Sequence, residues 1–81
     1  MSAALFNRAL AHRHTRASFR TLSRHAQSPH GLDEEQALRL LRNNVRDVHP
    51  SATFATRDAT ARLLLQHWRN GCNASPATAT E

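Results

Sequence analysis

Residues 32–50 have the sequence LDEEQALRLLRNNVRDVHP, which contains the start, the apolar stripe and the end of one amphipathic helix. Asp33 is a typical N-cap residue, and Gln36 three positions later completes a capping box. Pro50 disfavours helical backbone at His49, so we expect the helix to end just before that residue. Between these signals, apolar residues recur at the spacing of one helix face: Leu38, Leu41, Val45 and Val48.

A second helix is predicted after a short connection in which Phe54 is the expected anchor between the two helices. Thr56 is a plausible N-cap, and Asn70-Gly71 is typical of a helix end. Two helices joined by a short loop indicate an antiparallel helical hairpin, which we place at residues 33–71. Its expected core consists of Leu38, Leu41, Val45, Val48, Phe54, Leu64, Leu65 and Trp68.

Two pairs of opposite charges are spaced to support these helices. Glu35 and Arg39 are four residues apart on the first helix, and Asp58 and Arg62 are four apart on the second. Such pairs contribute about 0.2–0.5 kcal/mol each. They therefore stabilise the hairpin less than its apolar core does.

The segment before Asp33 carries basic charges and no acidic residue. Helical periodicity predicts one amphipathic helix from Ala3 to Ala26, with Leu5, Phe19 and Leu22 on its apolar side. The basic flank of this helix consists of Arg13, Arg16, Arg20 and Arg24.

The resulting prediction is an all-α fold, a small helical hairpin plus a basic amphipathic N-terminal helix. The helix occupies residues 1–27, and residues 28–32 form a linker because Pro and Gly interrupt helices there. The hairpin occupies residues 33–71. Residues 72–81 are rich in Ala, Thr and Ser and are predicted to be a disordered tail.

The size of the chain limits how its core can be completed. Two helices of an 81-residue chain rarely bury enough surface to be stable alone, and the single cysteine excludes an internal disulfide. Either the N-terminal helix covers the hairpin or a partner does, so we expect a homo-oligomer or part of a larger assembly. No apolar run is long enough for a transmembrane segment.

The charge of the chain indicates an anionic partner, either nucleic acid or an acidic protein surface. The net charge is +5, and all eleven basic residues are arginine. Arginine binds phosphate and carboxylate with two parallel hydrogen bonds. The leading hypothesis is a small non-enzymatic binding protein in which Arg13, Arg16, Arg20 and Arg24 contact nucleic acid.

Two other functions fit the same composition. An acid-free, Arg-rich and Ser-rich start is also typical of a mitochondrial presequence. Arg20-Thr21-Leu22-Ser23 resembles a processing site, with cleavage after Leu22 and an imported subunit as the product. The third hypothesis is a small phage or plasmid protein that binds and inhibits a host protein. The expected location is the mitochondrial matrix in a eukaryote and the cytoplasm in a bacterium or phage-infected cell.

No arrangement of residues in the sequence predicts catalysis or a cofactor. The only glycines, Gly31 and Gly71, do not form a phosphate-binding loop. His12 and His14 lie on different faces of a helix, and the other four histidines lack zinc-ligand spacing. We therefore expect neither an enzyme nor a metal site.

Two short motifs resemble a known family. Residues 37–41, ALRLL, and residues 54–59, FATRDA, are similar to the helical segment that precedes the metalloprotease-like domain of RadC-type proteins. The similarity extends from Leu32 to Arg69 and implies a related helical hairpin. It implies no activity, because the metal-binding His-x-His and acidic residues of that family have no counterpart here.

Overall fold

The computed structural model describes the backbone of residues 3–79 and the side chains of residues 4–71. No helix in the described part is long and apolar enough to cross a membrane. The predicted all-α fold is confirmed, since this part of the chain contains helices and no strands. In chain order the helices are α1 (Ala3–Ala11), α2 (Arg13–Ala26), α3 (Glu34–Val48) and α4 (Phe54–Ala79).

The start and end of α3 agree with the sequence signals. The Asp33 carboxylate accepts a hydrogen bond of 3.0 Å from the backbone N–H of Glu35. At the other end, His49 leaves helical geometry with φ −145° and ψ 82°, and α3 stops at Val48. Glu34 near the start of α3 pairs with Arg69 in the C-terminal half of α4, and Arg42 in the second half of α3 pairs with Asp58 near the start of α4. These two helices are therefore antiparallel.

The predicted continuous helix from Ala3 to Ala26 is wrong, because the helix is interrupted at His12. His12 has extended backbone, with φ −73° and ψ 137°, and its Nδ1 accepts a 3.2 Å hydrogen bond from the backbone N–H of His14. Its side chain thus caps α2 and replaces an intrahelical bond. The break lets α1 and α2 turn different faces to the hairpin.

The core-facing side of α2 also differs from the prediction. Thr15, Ser18 and Leu22 are buried, whereas Phe19 is only half-buried. Thr15 and Ser18 are small, which allows α2 to lie close to α3. On α1 the buried residues are Leu5 and Ala9.

Helix α4 begins earlier than predicted, and this changes the position of Phe54. The N-cap is Thr53 instead of Thr56, because the Thr53 hydroxyl accepts a 3.2 Å hydrogen bond from the Thr56 N–H. Phe54 then falls in the first turn, where its side chain is 65% exposed. Its predicted place in the core is wrong; its ring lies 5.2 Å from the Arg42 guanidinium, a cation–π contact.

The predicted helix end at Asn70-Gly71 is also wrong. Gly71 does not have the positive φ of a left-handed cap, which Gly31 does adopt, so nothing at this position ends α4. The helical backbone continues to Ala79, in place of the disordered tail predicted from residue 72. Residues 80 and 81 lie outside the described part of the chain.

The N-terminal helices and the hairpin share one core. Trp68 at the C-terminal side of the hairpin donates a 3.1 Å hydrogen bond from Nε1 to the Ser23 hydroxyl of α2. The first of the two expected ways to complete the core is therefore found, because α1 and α2 cover the hairpin. The expected homo-oligomer or larger assembly stays a prediction. The buried apolar cluster consists of Leu5, Ala9, Leu22, Ala37, Leu38, Leu41, Val45, Ala61, Leu64, Leu65 and Trp68, with Val48 partly buried against it.

One of the two predicted ion pairs is found. Arg62 Nε lies 2.9 Å from Asp58, as expected. The Glu35–Arg39 pair is wrong, because Glu35 instead lies 3.1 Å from Arg42. Arg42 also reaches Asp58 on α4 at 2.8 Å, so it joins the two helices of the hairpin in a way that Arg39 does not.

Candidate nucleic-acid interface

Four arginines form an exposed row on α2, which we call the arginine ridge: Arg13, Arg16, Arg20 and Arg24. At about 100° per residue, this row lies on the side of α2 roughly opposite the buried Thr15, Ser18 and Leu22. Burial of one face therefore directs the other face outward. With a rise of about 1.5 Å per residue, the ridge is about 16 Å long.

The ridge has no carboxylate partner among the side chains of residues 4–71. Arg24 donates a long hydrogen bond of 3.4 Å to the Thr21 hydroxyl, within α2. Because no described acid neutralises them, the four guanidinium groups present their charge to solvent.

The described acidic residues are used elsewhere in the fold. Asp33 caps α3, and Asp47 lies 3.6 Å from His14 at the N-terminal end of α2. The remaining acids, Glu34, Glu35 and Asp58, pair with arginines of the hairpin: Arg69, Arg42 and Arg62. Arg42, Arg62 and Arg69 of the hairpin are thus paired with acids, whereas the four arginines of the ridge are not.

Arg42 and Arg62 of the hairpin have a structural role that distinguishes them from the ridge. Hydrogen bonds to Glu35 and then to Asp58 raise the pKa of Arg42. The hydrogen bond from Arg62, followed by that from Arg42, lowers the pKa of Asp58. The same contacts favour the charged forms of Arg42 and Asp58, and the Arg42–Asp58 pair joins α3 to α4.

Aromatic side chains lie beside the ridge, at the seam between α2 and α4. The rings of Phe19 and His67 are stacked, with centroids 6.3 Å apart and planes at 29°. Phe6 of α1 meets the same His67 edge-on at 6.0 Å. Sequence reasoning missed His67, because residues 48 positions apart give no local signal of contact.

A surface groove of about 220 Å³ opens at this seam, and we call it the aromatic groove. Arg20 of the ridge lines one side of it. Trp68 forms part of its wall, although only 5% of this residue is exposed. The complete lining is Phe19, Arg20, Ser23, His67, Trp68 and Gly71.

The histidines do not gather with other possible metal ligands in the described part of the chain. No three His, Cys, Asp or Glu side chains there lie close enough to hold one ion. His12 and His14 do approach each other, with ring centroids 4.9 Å apart, but this contact belongs to the cap of α2.

The geometry therefore combines a positively charged ridge with an aromatic groove at its side. The resemblance to the helical segment of RadC-type proteins stays a prediction. No protein-family model, curated protein or solved structure matches this chain.

Proposed function

We propose that this protein is a non-enzymatic nucleic-acid-binding protein whose arginine ridge contacts the phosphate backbone. The observation that supports it is the exposure of four guanidinium groups on one side of α2, without a carboxylate partner among the described side chains. Each planar guanidinium can bind a phosphate through two hydrogen bonds.

The spacing of the ridge favours a regularly charged polymer over a single acidic patch. Its arginines follow one another at three or four residues, so a charge recurs about every 4.5–6 Å along the helix. A nucleic-acid backbone carries phosphates along its whole length, and contacts of this kind give binding that is independent of sequence and sensitive to salt. An acidic protein surface is the competing partner.

The packing of residues before Ser23 supports a working protein that keeps the ridge. Cleavage after Leu22 would remove Leu5, Ala9 and Leu22 from the buried cluster. Ser23, the hydrogen-bond partner of Trp68, would become the first residue of the product and lose the helix that now precedes it. The import hypothesis therefore requires a mature protein with an incomplete core, which the intact mass of the native protein can test.

Two matched double variants test the proposal. Arg16→Gln with Arg20→Gln removes two charges from the ridge, and Arg39→Gln with Arg46→Gln removes two exposed charges from α3. Binding to a fluorescent oligonucleotide at low salt should weaken strongly in the first variant and only slightly in the second. Circular dichroism verifies that both remain folded.

The opposing outcomes are distinct. Equal weakening by both variants would show that net charge, and not the ridge, determines binding. Absence of binding by the unmodified protein would overturn the proposal. In that case, a single stoichiometric protein partner that survives nuclease treatment would support the inhibitor hypothesis.

A further inference from the structure

We infer that the aromatic groove accepts an unstacked base, so that the ligand of the arginine ridge is single-stranded nucleic acid. This inference rests on the proposed function and names the class of nucleic acid. It also assigns contacts to Phe19 and His67, which lie outside the ridge.

The ridge and the groove share Arg20. Arg20 belongs to the ridge and also lines the groove, with Arg16 and Arg24 about one turn away on either side. A strand whose phosphates follow the ridge therefore has a base beside the groove. Both kinds of contact can then be made by one nucleotide chain.

The wall of the groove is largely aromatic. Phe19 is half-buried and His67 is exposed, so their rings combine a supported position with an accessible surface. Proteins that bind single strands without sequence preference pair a basic path with aromatic rings on which bases stack. The ridge and the groove supply these two parts.

Single strands and duplexes differ in whether their bases can reach the groove. The bases of a duplex are stacked and paired in its interior, and they reach a protein groove only after extrusion, which costs unstacking energy. The bases of a single strand meet no such barrier. The groove therefore adds affinity for a single strand and little for a duplex, whose phosphates meet the ridge in either case.

Trp68 provides the readout. It is the only tryptophan of the chain, and it lines the groove while donating its Nε1–H to Ser23. The full-length protein is titrated with oligothymidine, with an abasic oligonucleotide of the same length, and with a duplex, all at one ionic strength. We expect oligothymidine to quench Trp68 fluorescence and to bind about tenfold more tightly than the abasic strand, the effect of one stacked base.

Substitutions of two groove residues test whether the base binds in the groove. Phe19→Leu keeps an apolar side chain under the groove and removes the ring, and His67→Ala removes an exposed ring whose loss spares the buried cluster. Both should abolish the preference for oligothymidine over the abasic strand. Phe54→Leu is the matched control, because that exposed aromatic residue lies in the first turn of α4, does not line the groove, and should leave the preference for oligothymidine unchanged.

The outcomes for the two proposals can be told apart. Equal affinity for oligothymidine and the abasic strand, or an unchanged preference in both groove variants, would overturn the groove inference and leave the ridge proposal standing. Failure of the protein to bind any of the three ligands would overturn both.

Discussion

Asn44 donates a hydrogen bond of 2.6 Å from Nδ2 to the Ser18 hydroxyl, which joins α3 to α2 inside the protein. Both residues are only 6% exposed. This bond constrains the rotation of α2 about its own axis, because Ser18 must face α3. The arginine ridge on the other side of α2 must then face solvent.

Loss of this hydrogen bond should destabilise the fold. Ser18→Ala leaves the buried amide of Asn44 without that acceptor, and an unsatisfied buried group costs about 1–3 kcal/mol. We expect the free energy of unfolding in urea to fall by that amount. Asn43→Ala is the control, since Asn43 is exposed and lies next to Asn44 on α3. Equal stability of the Ser18 variant and the unmodified protein would contradict this role.

Substitution of a neighbouring residue of α2, Thr15, should stabilise the fold. The Thr15 hydroxyl is buried and has no hydrogen-bond partner within the described part of the chain. Thr15→Val replaces this hydroxyl by a methyl group and removes the cost of its desolvation. We expect a gain of about 1 kcal/mol in the free energy of unfolding. A lower urea midpoint would show that the hydroxyl is satisfied in solution.

Adjacent leucines of α4 should respond very differently to truncation. Leu64 is fully buried, whereas Leu63 is 40% exposed. Leu64→Ala should lower the free energy of unfolding by about 2–5 kcal/mol, because it removes apolar contacts and leaves a cavity. Leu63→Ala should cost clearly less. Thermal denaturation measures both variants, and similar decreases in their free energy of unfolding would refute the orientation of α4.

The carboxyl of Asp58 should make stability depend on pH in the acid range. Its pKa is lowered by the hydrogen bond from Arg62 and then by that from Arg42. The stabilisation is fully present above the ordinary Asp value of about 3.9 and is lost as the pH falls through the lowered folded-state pKa. Urea midpoints between pH 5 and pH 2 should therefore fall less steeply in Asp58→Asn. Parallel curves for variant and unmodified protein would exclude this contribution.

Local signals were sufficient for much of the hairpin. Asp33 predicted the start of α3, Pro50 predicted its end, and the spacing of Asp58 and Arg62 predicted their ion pair. Each of these features depends on residues within one or two helical turns. The basic row on α2 was also evident from helical spacing.

Features that depend on tertiary contacts or on competing caps were not predictable in this way. The Nδ1 atom of His12 caps α2, and no common capping preference identifies a histidine for that role. Phe54 is exposed because Thr53 starts α4 one turn earlier than Thr56 would. The aromatic groove needs His67 and Phe19 to meet across two helices, which no local pattern encodes.

The dependence of binding on salt tests the central claim most directly. The affinity of the unmodified protein for a single-stranded oligonucleotide is measured over a range of salt concentrations. Four phosphate contacts predict a slope of about −2.8 for log K against log salt concentration, and loss of two ridge arginines should halve it. A slope near zero, or one that the ridge variant leaves unchanged, would contradict the assignment of the arginine ridge as the phosphate-binding surface.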